Sequence, residues 1–137
     1  MKKILFIWLL LVSVLLANNN YELKIYEKVL PTIFIDTPIK VYVDKRIKKL
    51  LQESDKFEIL TRCDDKVELI VGKNFKNLPL ECREKPLFAT SYRWYKKHPN
   101  SLGAFYWRKG RPQIRFKKDT FIKYNLSLPH GLQKYAR

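Results

Sequence analysis

Two neighbouring stretches of the chain combine the side chains that could bind a charged partner. Residues 92–98 read YRWYKKH and residues 101–116 read SLGAFYWRKGRPQIRF, so aromatic rings are mixed with cations in both. Arginine forks bind carboxylates or phosphates, and aromatic rings supply contact area. This composition predicts a binding site for an acidic partner surface or an anion. Its candidate residues are Tyr92, Arg93, Tyr106, Arg108, Arg111 and Arg115.

A β-hairpin must position most of these side chains. Residues 101–116 read as two strands joined by a tight turn at Lys109-Gly110, which pairs Arg108 with Arg111. Because strand side chains alternate, one face carries Phe105, Trp107, Pro112, Ile114 and Phe116, and the other carries Tyr106, Arg108, Arg111, Gln113 and Arg115. We expect Phe105, Trp107 and the nearby Trp94 to pack in the core. The arginine face is either a binding surface or a solvated one.

Pro112 indicates which side of the hairpin is free. It lies opposite Trp107, in the kind of pair that exchanges no backbone hydrogen bonds, so its missing N–H costs the hairpin little. The missing donor faces away from Trp107. The second strand is therefore predicted to lie at an edge of the sheet near the turn.

Residues for catalysis or metal binding are few. The candidate nucleophiles and bases are Ser91, His98, Ser101 and His130, and no GxSxG, HExxH, P-loop or dinucleotide-binding motif is present. Two histidines and a pair of cysteines that we expect to be oxidised cannot form a tetrahedral zinc site. We therefore expect no enzymatic activity, no metal and no other cofactor, with His98 an exposed loop residue.

The N terminus has the pattern of an export signal. Two lysines precede an apolar run at residues 4–16 that is short for a bilayer span, and Ala17 follows. We expect residues 1–17 to be a cleaved signal peptide and residues 18–137 to form one periplasmic domain. Leu15 stands where a small residue usually precedes the cleavage site, so an uncleaved anchor is the alternative. Nucleic acid is not an expected partner in that compartment.

Charge and cysteines agree with an exported binding protein. The net charge is +15, and residues 83–137 hold fourteen Lys or Arg against two Asp or Glu. Such a surface attracts acidic proteins, anionic lipid head groups or polyanions, although it also serves plain solubility. Cys63 and Cys82 are the only cysteines, and an oxidising compartment favours a disulfide between them.

The remaining patterns predict an α/β domain with a mixed sheet and helices packed on it. An amphipathic helix at residues 21–34 should kink at Pro31 or end near Leu30. Asp44 should cap a second helix, which connects parallel strands by a crossover. Strands are predicted at residues 39–43, 57–60, 67–71 and 86–91, with helices at residues 45–53, 117–125 and 129–135.

Two parts of this assignment are less regular. Residues 73–83 are expected to form a loop or one helical turn, and residues 92–100 have no regular structure assigned to them. The short helix at residues 117–125 is expected to be capped near Asp119. A short helix beginning at Pro129 and ending at Tyr135 should follow the hairpin.

The order of these segments resembles the YfiR-like family of bacterial periplasmic proteins. Residues 21–38 are similar to the family's opening helix and its closing proline. Further similarity lies in IKVYV, CDDKVELIVG, KPLFATS, GAFYWRKGRPQIRF and LSLPHGLQKYA. The chain departs from the family in being shorter, in lacking a second cysteine pair and in its basic hairpin turn.

The resemblance implies a non-enzymatic regulator that acts by protein contact. Members are α/β sandwich-like domains, often dimeric, and one restrains an inner-membrane diguanylate cyclase. We therefore expect an inner-membrane or envelope protein with an acidic surface as the partner, and a homodimer is a further expectation. One alternative is a solute-binding module in which Ser91, Tyr92, Arg93 and Arg111 hold a small anion. Another is a basic envelope protein that adheres to anionic membrane or polymer.

Overall fold

Six strands form one mixed sheet through the middle of the protein. The computed structural model describes residues 20–136, so the predicted signal peptide at residues 1–17 lies outside the described residues. The strands are β1 Ile39–Val43, β2 Phe57–Ile59, β3 Leu69–Gly72, β4 Leu87–Ala89, β5 Ser101–Arg108 and β6 Arg111–Phe116. Their spatial order is β2-β1-β3-β4-β5-β6, all pairs being parallel except β5 with β6. The predicted α/β class with a mixed sheet is confirmed.

Helices cover both faces of this sheet. They are α1 at residues 20–33, α2 Lys45–Leu51, α3 Leu80–Arg83, α4 Tyr92–Lys97 and α5 Lys118–Lys123, followed by a 3₁₀ helix at His130–Tyr135. Within residues 20–136, no helix is long and apolar enough to cross a membrane.

The structure corrects two details of the predicted helices. Of the two alternatives for the first helix, an end near Leu30 is wrong, because α1 continues past Pro31 and the Phe34 N–H donates to the Leu30 carbonyl at 3.1 Å. Burial of Phe34 on the sheet stabilises this extra turn. The kink at Pro31 stays a prediction. Asp119 is not a cap but lies in the first turn of α5, where Lys117 occupies the cap position without a side-chain hydrogen bond.

The larger core lies between the sheet and helices α1, α2 and α5. The fully buried Tyr26 ring of α1 meets Phe88 of β4 edge-on at 5.9 Å and Phe105 of β5 at 5.8 Å between ring centroids. The buried residues of α1 recur at helical spacing and form the amphipathic stripe that the sequence predicts. They are Tyr26, Val29, Leu30 and Ile33.

A thinner layer covers the opposite face of the sheet. The Cys63–Cys82 disulfide packs there against Ile70 and Leu87, with the two Cα atoms 5.7 Å apart. This separation is ordinary for a disulfide, and the predicted pairing is confirmed. The bond ties the segment after β2 to α3.

Asp44 joins the end of β1 to α2 and to the end of β3. Its carboxylate accepts from the Ile47 N–H at 2.9 Å, as predicted for a helix cap, and from the Lys73 N–H at 3.1 Å. A Cβ on Gly72 would lie 2.5 Å from Asp44 Oδ2. The glycine is required here because its φ of 149° and the nearby carboxylate both exclude a side chain.

An ion pair between the buried Glu22 and the half-exposed Arg46 links α1 to α2. Glu22 is only 3% exposed, and both of its carboxylate oxygens accept from the Arg46 guanidinium at 2.9 Å. The Tyr26 hydroxyl donates to the same carboxylate at 2.7 Å. Burial and then the negative charge of Glu22 raise the pKa of Tyr26 well above 10.0. Because the carboxylate is fully paired, we interpret this group as structural.

Candidate functional site

The β5–β6 hairpin has the register that the sequence predicts. Arg108 pairs with Arg111, Trp107 with Pro112, Tyr106 with Gln113 and Phe105 with Ile114. The two faces separate as expected, because Phe105 and Phe116 lie in the larger core whereas Tyr106 packs on the opposite side. The turn and the alternation of the strands were therefore sufficient to predict which face of the hairpin carries each side chain.

Two aromatic residues are less buried than predicted. Trp107 is 39% exposed at the end of β5, where its ring lies 6.1 Å from Tyr21 of α1 and 5.8 Å from Phe105. Trp94 of α4 is half-buried, beside the disulfide layer. Phe105 is buried as expected. Trp107 stays partly exposed because the hairpin extends beyond the helices that cover the rest of the sheet.

Residues 92–97, for which no regular structure was predicted, form helix α4. Ser91 caps it, its hydroxyl accepting from the Trp94 N–H at 3.2 Å. The helix places Tyr92 and Tyr95 one turn apart on the side that packs against β5. The Ser91 cap was the sequence signal for this helix, but the mixture of aromatic and charged residues obscured its periodicity.

A tyrosine–arginine cluster forms where α4 meets the hairpin. It consists of Tyr92, Tyr95, Tyr106 and Arg115. The Arg115 Nε–H donates to the Tyr106 hydroxyl at 2.7 Å, and its guanidinium carbon lies 5.6 Å from the centre of the Tyr92 ring. The Tyr92 ring is 5.4 Å from Tyr106 and 6.4 Å from Tyr95. These contacts hold Arg115 in one orientation.

The charges around the cluster are positive. Lys96 Nζ lies 5.4 Å from the Tyr92 ring centre, and Lys117 Nζ lies 5.2 Å from that of Tyr95. Burial raises the pKa of Tyr95, opposed by the charge of Arg115, so this phenol is neutral near neutral pH. The cluster therefore presents cations that lie against aromatic rings, an arrangement suited to an anionic partner.

The end of the hairpin adds a second group of cations, the basic tip, which consists of Arg108, Lys109 and Arg111. All three side chains are exposed. Arg108 and Arg111 are directly opposed across the strands, and Lys109 and Gly110 both have positive φ, 51° and 75°. Like charges that face each other repel, so the tip favours a state in which a negative group lies between them.

Of the six candidate residues, five belong to these two groups. Tyr92, Tyr106 and Arg115 lie in the cluster, while Arg108 and Arg111 lie in the basic tip on the same face of the hairpin. Arg93 is exposed on α4, and none of the contacts that hold the cluster involves it. Sequence reasoning missed Tyr95, whose spacing of three residues from Tyr92 is the signal that could have identified it.

An open depression of about 500 Å³ connects the cluster to the tip. It is lined by Thr90, Ser91, Tyr92, Tyr106, Trp107 and Arg108. The Thr90 hydroxyl is buried there and has no hydrogen-bond partner among the described residues. Ser91 already caps α4, while Arg93 and Arg111 do not line the depression. The four residues named for a small-anion site are therefore not brought together.

His98 is half-buried rather than an exposed loop residue. Its ring lies 5.5 Å from Trp94, and its Nδ1 accepts from the Asn100 N–H at 3.2 Å. Burial, with the charges of Lys117 and Lys123, lowers its pKa. His98 is therefore a neutral acceptor that shapes the turn after α4.

The site has cations without matching carboxylates. Within residues 20–136, the ion pairs are Arg46–Glu22 and the weaker Lys123–Glu84 at 3.9 Å, so the arginines of the cluster and the tip have no acidic partner there. In the same part of the chain, no three His, Cys, Asp or Glu side chains are grouped so that they could hold a metal ion.

Comparisons with known proteins place no further constraint on the site. No family model matches the chain, and a search of curated proteins finds no match either. The similarity to the YfiR-like family stays a prediction from the sequence pattern.

Proposed function

We propose that this protein is a non-enzymatic binding protein of the bacterial periplasm that engages an acidic surface of an envelope protein. The basic tip and the tyrosine–arginine cluster form the contact surface. Regulation of that partner by contact, rather than by turnover, is the activity that the resemblance to the YfiR-like family also favours.

The observation that carries this proposal is the fixed position of unpaired positive charge. Arg115 is held by the Tyr106 hydroxyl and the Tyr92 ring, which reduces the conformational entropy that binding would otherwise cost. No carboxylate of residues 20–136 competes for it. Bidentate pairing with a carboxylate on a partner would complete an arrangement that the protein leaves open.

A pull-down from solubilised envelope membranes tests the proposal. The R108E/R111E variant reverses two positive charges of the basic tip. The control variant K48E/K49E makes the same change in charge at two exposed lysines of α2. We expect R108E/R111E to lose the captured envelope protein and K48E/K49E to retain it. The affinity of the wild-type protein should fall as salt rises, because the contact is electrostatic. Equal capture by both variants would contradict the proposal.

Anionic membrane is a competing partner for the same cations. Vesicles that contain phosphatidylglycerol, compared with neutral phosphatidylcholine vesicles, distinguish a lipid surface from a protein surface. If both charge-reversal variants lose vesicle binding to the same degree and no protein is captured, the protein adheres to membrane through net charge. That outcome would replace the proposed function.

The buried Thr90 hydroxyl favours a second candidate, the binding of a small anion in the depression beside Arg108. A thermal-shift screen with phosphate, sulfate and small carboxylates tests it. A large shift with one anion, lost in both Thr90→Val and Arg108→Gln, would support this candidate. No shift with any of these anions would exclude them as ligands.

A further inference from the structure

A groove of about 600 Å³ lies beside the outer edge of β6, the last strand of the sheet. Its walls come from α1, from the 3₁₀ helix and from the hairpin, and its apolar surface includes Tyr21, Ile25, Phe105, Ile114 and Leu132. This volume is within the usual range of about 300–1,000 Å³ for ligand sites. The groove faces the side of the hairpin opposite the tyrosine–arginine cluster and extends to the strand edge, since Gln113 and Arg115 also line it.

The backbone at this edge has hydrogen-bonding groups that point outward. The Lys117 N–H donates to the Leu102 carbonyl at 2.9 Å, so the odd-numbered residues of β6 bond to β5 and the even-numbered ones face away. Phe116 uses its outward position to pair with Ala136. Among residues 20–136, the Pro112 carbonyl and the N–H and carbonyl of Ile114 have no backbone partner beyond the hairpin, and both residues line the groove.

We propose that this edge accepts a short extended segment of an acidic partner protein as an added β-strand. Alternate side chains of the segment would enter the apolar groove beside Pro112 and Ile114. The intervening side chains would lie on the arginine face, next to Arg111 and Arg115, and should be acidic. The proposal rests on the proposed function, because the same arginines recognise the partner, and it adds the conformation and sequence pattern of the recognised segment.

Charge argues against a second copy of this chain as the occupant. Antiparallel pairing of β6 with itself would place Arg111 opposite Arg115 or Lys117 of the other copy, and directly opposed like charges destabilise a strand pair. An acidic segment would instead place negative side chains opposite these arginines, and opposite charges stabilise a strand pair. The exposed Lys28 and Lys134 at the rim of the groove further favour a negatively charged occupant.

The outward backbone groups argue against a hydrocarbon chain. A lipid tail lying in the groove would cover the Ile114 N–H and two carbonyls without offering them hydrogen-bond partners, which is costly. An extended peptide supplies one partner for each group. Strand addition is the recognition mode that uses an open edge together with pockets for alternate side chains.

Two substitutions test the contributions of the strand edge and of the groove to binding separately. Ile114→Pro removes the outward N–H and leaves the hydrogen bonds to β5 intact. Pro112 already occupies an outward position of the same strand, so proline is tolerated there. Ile114→Ala is the control, because it truncates the side chain and keeps the N–H. Gly131→Trp fills the groove from the 3₁₀ helix, where a Cβ on Gly131 meets no atom within 4 Å.

The experiment measures binding of two fluorescein-labelled peptides, Val-Glu-Val-Glu-Val and Val-Lys-Val-Lys-Val, by anisotropy. We expect the glutamate peptide to bind the wild-type protein and the lysine peptide not to bind. Ile114→Pro and Gly131→Trp should each weaken the glutamate peptide about tenfold or more, which is about 1.4 kcal/mol, and Ile114→Ala should weaken it less. The Ile114 amide of the wild-type protein should become protected from hydrogen exchange when the peptide binds.

Several outcomes would overturn strand addition. These are equal affinity for the two peptides, unchanged affinity in Gly131→Trp, an Ile114 amide that stays unprotected, or binding of sodium laurate in the groove without binding of the glutamate peptide. If Ile114→Pro fails to fold, Gly131→Trp and the amide measurement still decide the question.

The pull-down described above distinguishes this failure from failure of the proposed function. If R108E/R111E loses the captured envelope protein while Ile114→Pro and Gly131→Trp retain it, the arginine contact stands and strand addition is wrong. If R108E/R111E retains the protein, the proposed function itself is wrong.

Discussion

The pKa values of several tyrosines in this protein are set by burial and by a few close contacts. Three tyrosines, Tyr26, Tyr95 and Tyr124, have raised pKa values because burial disfavours their charged form. At Tyr124, whose hydroxyl donates to the Glu84 carbonyl, burial and the charge of Glu84 raise the pKa to about 12. The protein should therefore keep these phenols neutral at a pH where exposed tyrosines ionise.

Tyr26 makes the stability of the fold sensitive to alkali. Above about pH 10 the unfolded chain releases the phenolic proton while the folded chain keeps it, so the free energy of unfolding falls as pH rises. Below that pH the phenol is protonated in both states, so Tyr26 adds nothing to the pH dependence of the free energy of unfolding. Urea unfolding at pH 8 to 11 should show a steeper loss for the wild-type protein than for Tyr26→Phe. Equal slopes would contradict this account.

Gly103 is a second single-residue determinant. A Cβ at this position would lie 2.5 Å from the Arg115 carbonyl oxygen and 2.8 Å from Phe116 Cδ1. Gly103→Ala should lower the free energy of unfolding by about 1–3 kcal/mol, because β6 must shift away from β5. Gly131→Ala is the matched control and should be nearly neutral. Chemical denaturation of the two variants measures the difference, and similar values for both would refute the steric explanation.

At the scale of the element, the hairpin is the part whose geometry is most local in origin. Lys109 and Gly110 have the two positive φ angles of a type I′ turn, which matches the twist of the flanking strands. Lysine is an unusual choice for the first position, because the left-handed conformation costs an ordinary residue about 1–2 kcal/mol. Lys109 therefore adds an exposed cation to the basic tip at a conformational cost.

Lys109→Asn should stabilise the hairpin, since asparagine tolerates the left-handed conformation. We expect the free energy of unfolding to rise by about 0.5 kcal/mol, because asparagine relieves part of the cost of the left-handed conformation at this position. Lys109→Gln removes the same charge without that tolerance and serves as the control. Thermal or urea unfolding of the pair would detect the difference, and an equal gain in both variants would attribute the effect to reduced repulsion with Arg108 and Arg111.

At the scale of the whole molecule, the two faces of the sheet are stabilised differently. Helices α1, α2 and α5 bury one continuous apolar layer, whereas the other face has the short α3 and α4 and the Cys63–Cys82 disulfide. The thinner face is also the one on which the cations of the cluster lie. Its stability should therefore depend more on the covalent link than that of the larger core.

The double variant C63A/C82A should lower the free energy of unfolding by about 3 kcal/mol, because the bond closes a loop with a sequence separation of 19 residues. Wild-type protein in reductant should match the variant, which separates loss of the link from loss of cysteine packing. Urea unfolding provides the measurement. If the oxidised protein and the variant are equally stable, the disulfide does not contribute to the fold.

Local chemistry made much of the fold predictable from the sequence. The Lys109-Gly110 turn, the alternation of β5 and β6 and the proline at residue 112 determined the register of the hairpin and its free edge. Asp44 and the β-branched run before it determined the β1–α2 junction. Each of these features depends on residues a few positions apart, so the sequence displays them directly.

The tertiary structure alone decided which side chains meet. The sequence contains Tyr92, Tyr106 and Arg115, but their contact depends on how α4 packs across β5, and packing between elements is set by the whole core. The Glu22–Arg46 pair and the groove beside β6 have the same origin, since α1 meets α2 and the hairpin only through tertiary packing. The arginine face was thus a sequence property, while its supporting tyrosines and the neighbouring groove follow from long-range packing.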